Sequence, residues 1–168
     1  YVTQKAVLFA GDIRENVLFG ESAAEQTDEN VSRALELAQA SEFVQKLPGG
    51  INAPITEGGT NVSGGQKQRL SIARALARQP EILIFDDSFS ALDYKTDSML
   101  RKGLKEHLGN TTRMIVAQRI GTIRDADKIV VLDEGRAVGI GRHEELLKNC
   151  PVYREIAMSQ LSAEELGE

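Results

Sequence analysis

Apolar and polar positions alternate along this chain at two periods, and the switches between them mark out its elements. Residues 1–9 predict an extended leading segment. Residues 13–50 predict helix, with Val31, Leu35, Ala38 and the Phe43-Val44 pair supplying one apolar side, until Leu47-Pro48-Gly49-Gly50 breaks the pattern. Residues 52–61, rich in Gly, Thr and Asn, predict a loop. A helix then runs to Arg78 and stops at Gln79-Pro80, because a proline pushes the residue before it out of helical geometry. Residues 82–85 form an unbroken apolar run, the pattern of a strand covered on both faces, and 114–117 predict a second buried strand. A helix over 92–108 separates the two. Residues 129–132 and 137–140 flank Asp133-Glu134-Gly135-Arg136 and predict a hairpin, and helices over 142–148 and 152–161 finish the chain. Strands alternating with helices give an α/β class with a mostly parallel sheet.

The helix that follows Ser63 carries the first chemical signal. Ser63-x-x-Gln66 is a capping box, in which the hydroxyl accepts from the third helical N–H and the glutamine reaches back. Gly64 and Gly65 fill the first turn, although each Gly costs about 1 kcal/mol against Ala inside a helix. Glycines there let an anion approach the free N–H groups at the positive end of the helix dipole. The second signal is the carboxylate pair Asp86-Asp87, which ends the apolar run of 82–85. Together they describe a surface for a polyphosphate, wired to a strand that holds a metal ion. The basic residues Lys67, Arg69, Arg74 and Arg78 read as one solvated face of the helix. His143, ahead of Glu144-Glu145, reads as a helix cap, and His107 as a partner of a helix C-terminal dipole. Neither has metal-ligand company, so no structural metal is expected.

Composition narrows the functions. The 168 residues are about one domain, 41% of them apolar, and the net charge of −5 argues against a nucleic-acid surface. Cys150 is single, so no disulfide framework is expected and a reducing compartment is. Apolar runs such as 82–85 and 129–132 have four residues, far short of the ~20 that cross a bilayer.

The motifs fall in a familiar order. Val62-Ser63-Gly64-Gly65-Gln66 resembles the signature motif of ABC-transporter ATPase domains. Tyr1-Val2-Thr3-Gln4, then Val7-Leu8-Phe9 and Ile13-Arg14-Glu15-Asn16, resemble the Q-loop and the helix start after it. Residues 82–86 resemble Walker B, Ser90-Ala91-Leu92-Asp93 the D-loop, and Ile115-Val116-Ala117-Gln118-Arg119 the switch segment. The resemblance runs from Tyr1 to about Tyr153. It implies an incomplete P-loop NTPase (RecA-like) core with an ABC helical subdomain, divided as 1–78 and 79–168. No Gly-Lys pair occurs, so a phosphate-cradling P-loop is expected upstream of Tyr1 and the chain reads as a fragment cut before its Q-loop. By itself such a fragment is expected to be inactive, with exposed apolar edges that favour self-association.

The resemblance also implies roles. ATP and Mg²⁺ are the expected cofactors, with Asp86 and Gln4 beside the metal and Asp87, Gln118 and Gln4 at the catalytic positions. Ser63, Gly64, Gly65 and Gln66 would serve a nucleotide held by a partner domain, since these ATPases pair head to tail. Two positions depart from the family. Asp87 stands where Glu is usual and Gln118 where His is usual, which implies a degenerate site and a heterodimer with a second, different ABC ATPase half. Ser88-Phe89 likewise replaces the usual Pro-Thr. Residues 55–61 resemble the segment before the signature in exporters, through Glu57, Gly59 and Asn61, with Gly58 in place of Arg. The expectation is therefore an exporter ATPase on the cytoplasmic face of the membrane, tied to transmembrane domains of its parent chain and to no nucleic acid. A soluble ABC ATPase outside transport is the alternative.

Overall fold

A computed structural model describes residues 1–21 and 24–162. They form two compact units, Tyr1–Val116 and the residues from Ala117 onward, so the expected division at 78/79 falls inside the first.

In the first unit, β3 (Ile82–Asp86) lies between two parallel neighbours. One is β4 (Thr112–Val116), in register from Ile82↔Thr112 to Asp86↔Val116. The other is the leading segment, bridged at Val2↔Phe85 by Val2 N–H to the Ile84 carbonyl (2.8 Å) and Asp86 N–H to the Val2 carbonyl (2.9 Å). The parallel expectation holds here. β1 (Gly11–Asp12) and β2 (Pro54–Ile55) pair antiparallel, as do the strands of the second unit. The expectation of strands buried on both faces does not hold. Val2, Leu83 and Phe85 enter the core, whereas Ile82, Met114 and Val116 are 60%, 58% and 52% exposed on the other face. An apolar run does not by itself reveal whether a second layer covers it.

The helical stretch expected over 13–50 resolves into α1 (Ile13–Leu18), α2 (Asp28–Leu37) and α3 (Ser41–Lys46); Ser22 and Ala23, within it, lie outside the described residues. Asp12 and Glu15 form a capping box at α1, and Thr27 caps α2. α2 ends in a Schellman turn, with Gln39 N–H on the Glu36 carbonyl and Ala40 N–H on the Leu35 carbonyl. Gln39 takes the left-handed position (φ 57°) that glycine usually fills, which is why the break is not legible as a Gly. The loop expected over 52–61 holds β2 and a short 3-10 turn, Glu57–Gly59.

α4 (Gly64–Ala77) is the hub of this unit. It packs against α1 and α2 and buries Leu70, Ile72, Ala73 and Leu76. Arg69 and Arg74 do not lie on a solvated face, whereas Arg78 is exposed, as expected. Arg74 is half-buried and donates to the Asn16 carbonyl (2.7 Å), the Asn16 Oδ1 (3.0 Å) and the Val7 carbonyl (2.9 Å). Its guanidinium also lies over the stacked rings of Phe9 and Phe19. Arg69 donates to the Gln39 carbonyl at 2.6 Å and covers Phe43, and Arg78 donates to the Phe19 carbonyl at 2.7 Å. Burial, first, lowers the Arg74 pKa, and Arg78 adds to it. A long cation with carbonyl partners is stable on an inward face, so charge alone misplaced Arg69 and Arg74.

α5 (Tyr94–His107) is capped by Asp93 and carries a buried Asp97–Arg101 ion pair. His107 closes it as expected, with Nδ1 3.0 Å from the Gly103 carbonyl.

The second unit comprises α6 (Ile120–Ile123), the hairpin β5 (Ile129–Asp133) and β6 (Arg136–Gly141), α7 (His143–Asn149) and α8 (Pro151–Gln160). Glu134 and Gly135 both have positive φ (45° and 76°), the two-residue turn whose twist suits a hairpin. Ile129 and Val131 pack with Leu146, Tyr153 and Ala157. His143 is not the cap of α7: Glu145 accepts from the Arg142 N–H, while His143 Nδ1 hydrogen-bonds the buried Tyr153 hydroxyl at 2.8 Å. Burial, first, and then Arg124 lower the His143 pKa.

Two predictions follow from these anchors. Arg74→Ala should destabilise the first unit by about 2–4 kcal/mol in urea unfolding, and Arg74→Lys by less, since charged hydrogen bonds to buried carbonyls are lost. Because the folded His143 pKa lies below its ordinary 6.5, its contribution is fully present above that value and lost as pH falls through the folded pKa. The unfolding midpoint of the second unit should drop as pH falls below about 6.5, and His143→Gln should flatten that slope.

Candidate functional site

The carboxylates Asp86 and Asp87 emerge where β3 ends. Asp86 closes the strand; Asp87 turns into the left-handed region (φ 44°), with its N–H on the Val116 carbonyl at 2.9 Å. Non-glycine residues in that region are uncommon, Asp being among those that tolerate it, and such positions cluster at functional sites. The turn is held from below. Ser88, fully buried, donates to the Val2 carbonyl at 2.8 Å, and the Ser90 hydroxyl donates to the Asp87 carbonyl at 2.7 Å.

The leading segment supplies the facing groups. Gln4 Nε2 donates to Asp87 Oδ2 at 2.9 Å, and the Tyr1 hydroxyl donates to Asp86 Oδ2 at 2.5 Å. That bond is the first cause of a raised Tyr1 pKa. The segment is anchored in turn by α4, where Gln68 Nε2 donates to the Thr3 carbonyl (3.2 Å) and Arg74 to the Val7 carbonyl.

The start of α4 matches the capping-box reading. Gln66 N–H donates to Ser63 Oγ (3.3 Å), and Gln66 Oε1 accepts from Ser63 N–H (2.9 Å). Asn61 braces the chain ahead of it, accepting from Thr56 N–H and donating to the Pro54 carbonyl. A Cβ placed on Gly64 would meet nothing within 4 Å, so no protein neighbour requires a glycine there. A Cβ on Gly65 would lie 3.4 Å from the Ala91 carbonyl, which sets the first turn against the segment Ser90-Ala91-Leu92-Asp93. Within that segment Leu92 is buried, and Asp93 accepts from the Thr96 N–H and hydroxyl, which lower its pKa.

The structure thus brings Gln4, Asp86 and Asp87 together, and places Gly65 beside Ala91. Gln118 belongs to the second unit, where its carbonyl accepts from Gln160 Nε2 at 2.9 Å. Sequence reasoning missed Tyr1, Ser88 and Gln68. Gln68 had a signal: it stands on the same stripe as Ser71, Ile72 and Ala75, and a buried amide needs a partner. Tyr1 and Ser88 had none, because their partners are 85 and 86 residues away.

The α/β fold with this strand end is that of a P-loop NTPase, of the kind found in transporter nucleotide-binding domains. A family model described as ABC transporter matches residues 1–90. The chain is 42% identical, over 99% of its length and 28% of that protein's, to an ABC transporter ATP-binding protein of Mycobacterium tuberculosis. It is 40% identical, over 96% of its length and 27% of the relative's, to a multidrug resistance ABC transporter ATP-binding and permease protein of Lactococcus lactis. Among solved structures, a bacterial Atm1-family ABC exporter with ATP bound superposes with a TM-score of 0.89 at 36% identity, covering 96% of this chain and 28% of that one. The chain belongs to the ABC transporter family and spans little more than a quarter of the length of these relatives.

The open space at Gly64 predicts opposed effects of one methyl group. Gly64→Ala should leave the fold as stable or raise its stability by up to about 1 kcal/mol, read from the urea midpoint. Where that turn receives a nucleotide phosphate, as proposed below, it should lower ATP turnover of the assembled parent, because the methyl group would occupy the approach to the helix N–H groups.

Proposed function

We propose that this chain is part of the ATP-binding subunit of an ABC exporter, in which binding and hydrolysis of ATP at the cytoplasmic face drive transport through transmembrane domains of the same parent protein. The observation that carries this reading is the Gln4–Asp87 hydrogen bond at the end of β3, with Asp86 beside it. It joins the segment that resembles a Q-loop to the carboxylate at the base position. Relatives described as ATP-binding and permease proteins favour an exporter over a soluble ABC ATPase. No helix among the described residues is long and apolar enough to cross a membrane, so the transmembrane partner is assigned to the remainder of the parent.

The oxygen donors present suit Mg²⁺, a hard cation that takes one or two carboxylates and completes its shell with water and phosphate. Asp86 would hold it, with Gln4 alongside; when bound, the ion neutralises charge on the phosphates. In this reading Asp87 would orient or deprotonate the attacking water, its carboxylate held by Gln4.

Two features make that site weak. Asp87 is one methylene shorter than glutamate, and a misplacement near 1 Å can cost roughly 10²-fold in rate. Gln118 cannot bring a positive charge to the terminal phosphate. The first turn of α4, by contrast, keeps Ser63, Gly64, Gly65 and Gln66 intact and is open at Gly64. We therefore assign this chain to the degenerate-site half of a heterodimer, serving with its signature motif a competent site on a different ABC ATPase.

The test is steady-state ATPase activity of the full-length parent assembled with its partner. Gly64→Asp should cut turnover about 10²-fold, as removal of aligned anion donors does, whereas Asp87→Asn should change it by no more than about 3-fold. Equal losses in the two variants would contradict the degenerate-site assignment.

A further inference from the structure

Tyr1 belongs to the same strand end but has no role in the reading above. Its partner follows from strand geometry. Val2 and Phe85 are bridged and both fully buried, so they share the core face of the sheet. Tyr1 and Asp86 flank that pair in their respective strands, and alternation puts both on the opposite, open face. They lie on the diagonal between the two strands, roughly 7–8 Å apart from backbone to backbone, a span that a tyrosine side chain bridges and a shorter residue would not. The hydroxyl accordingly reaches Asp86 Oδ2 at 2.5 Å. The bond is not a by-product of burial, because Tyr1 is 69% exposed. Backbone bonds between Val2 and β3 and the Ser88 hydroxyl on the Val2 carbonyl hold it in place.

We infer that Tyr1 is a positioning residue for the carboxylate that would hold Mg²⁺: its phenol pins Oδ2 of Asp86, which would leave Oδ1 as the oxygen available to the ion. This rests on the reading of Asp86 as a metal-holding residue. An ionised carboxylate turns freely about its last torsion unless one oxygen is held. Hydrogen-bond partners that orient a ligand typically govern metal affinity by 10–100-fold. Phenylalanine keeps the ring and removes only the hydroxyl, so Tyr1→Phe separates orientation from packing.

The experiment is Mn²⁺ binding, followed by electron paramagnetic resonance, to the full-length parent assembled with its partner and loaded with a non-hydrolysable ATP analogue. Asp86→Asn identifies the fraction of bound Mn²⁺ that belongs to this chain. Tyr1→Phe is expected to weaken that fraction alone by about 10-fold or more, with the unfolding midpoint and the metal-free affinity for the analogue unchanged. Unchanged or tighter Mn²⁺ binding in Tyr1→Phe, with Asp86→Asn still removing its fraction, overturns the role of Tyr1 and leaves that of Asp86. If Asp86→Asn removes no Mn²⁺, the metal reading of Asp86 fails and the role of Tyr1 fails with it.

Discussion

The arrangement of the first unit depends on polar side chains of α4 that point inward. Gln68 is buried and Arg74 half-buried, and groups of that kind are costly to bury unless they are hydrogen-bonded. They find their partners in the carbonyls of Thr3, Val7 and Asn16. The leading segment has little regular structure of its own, only the bridge at Val2. It is therefore fixed between β3 on one side and α4 on the other. Tyr1 and Gln4 reach Asp86 and Asp87 because that segment cannot drift. Asn16 tightens the same joint, accepting from Phe9 N–H and donating to the Phe9 and Asp12 carbonyls.

One helix thereby joins two places of different chemistry. The first turn of α4 is open at Gly64 and abuts Ala91, while its later turns hold the segment that carries Gln4. A helix is stiff along its axis, and its polar struts are short. The left-handed backbone at Asp87 is the other constrained element, tied by its N–H to β4 and by its carbonyl to Ser90.

Much of this was legible in the sequence where the cause was local. The Ser63/Gln66 box, the end of α4 before Pro80, the strand closing in Asp86-Asp87 and the hairpin turn at Glu134-Gly135 all follow from neighbouring residues. The motifs that resemble the ABC family lie in the same local stretches. What escaped depends on distance or on context. Arg69 and Arg74 read as solvated because a charge pattern does not disclose carbonyls contributed by remote segments. Gln39 hid the end of α2 by filling a glycine position. Met114 and Val116 read as buried, although only one face of β3–β4 meets the core. His143 read as a cap, although Tyr153, ten residues on, is what it bonds.

The most direct test is the structure of the full-length transporter with its partner, trapped with ATP and Mg²⁺. The nucleotide phosphates nearest Asp86 and Gln4 should be met by a signature helix of the partner, while Ser63, Gly64 and Gly65 of this chain meet the phosphates of the other nucleotide. Phosphates bound without contact to either Asp86 or the first turn of α4 would contradict the assignment of both sites.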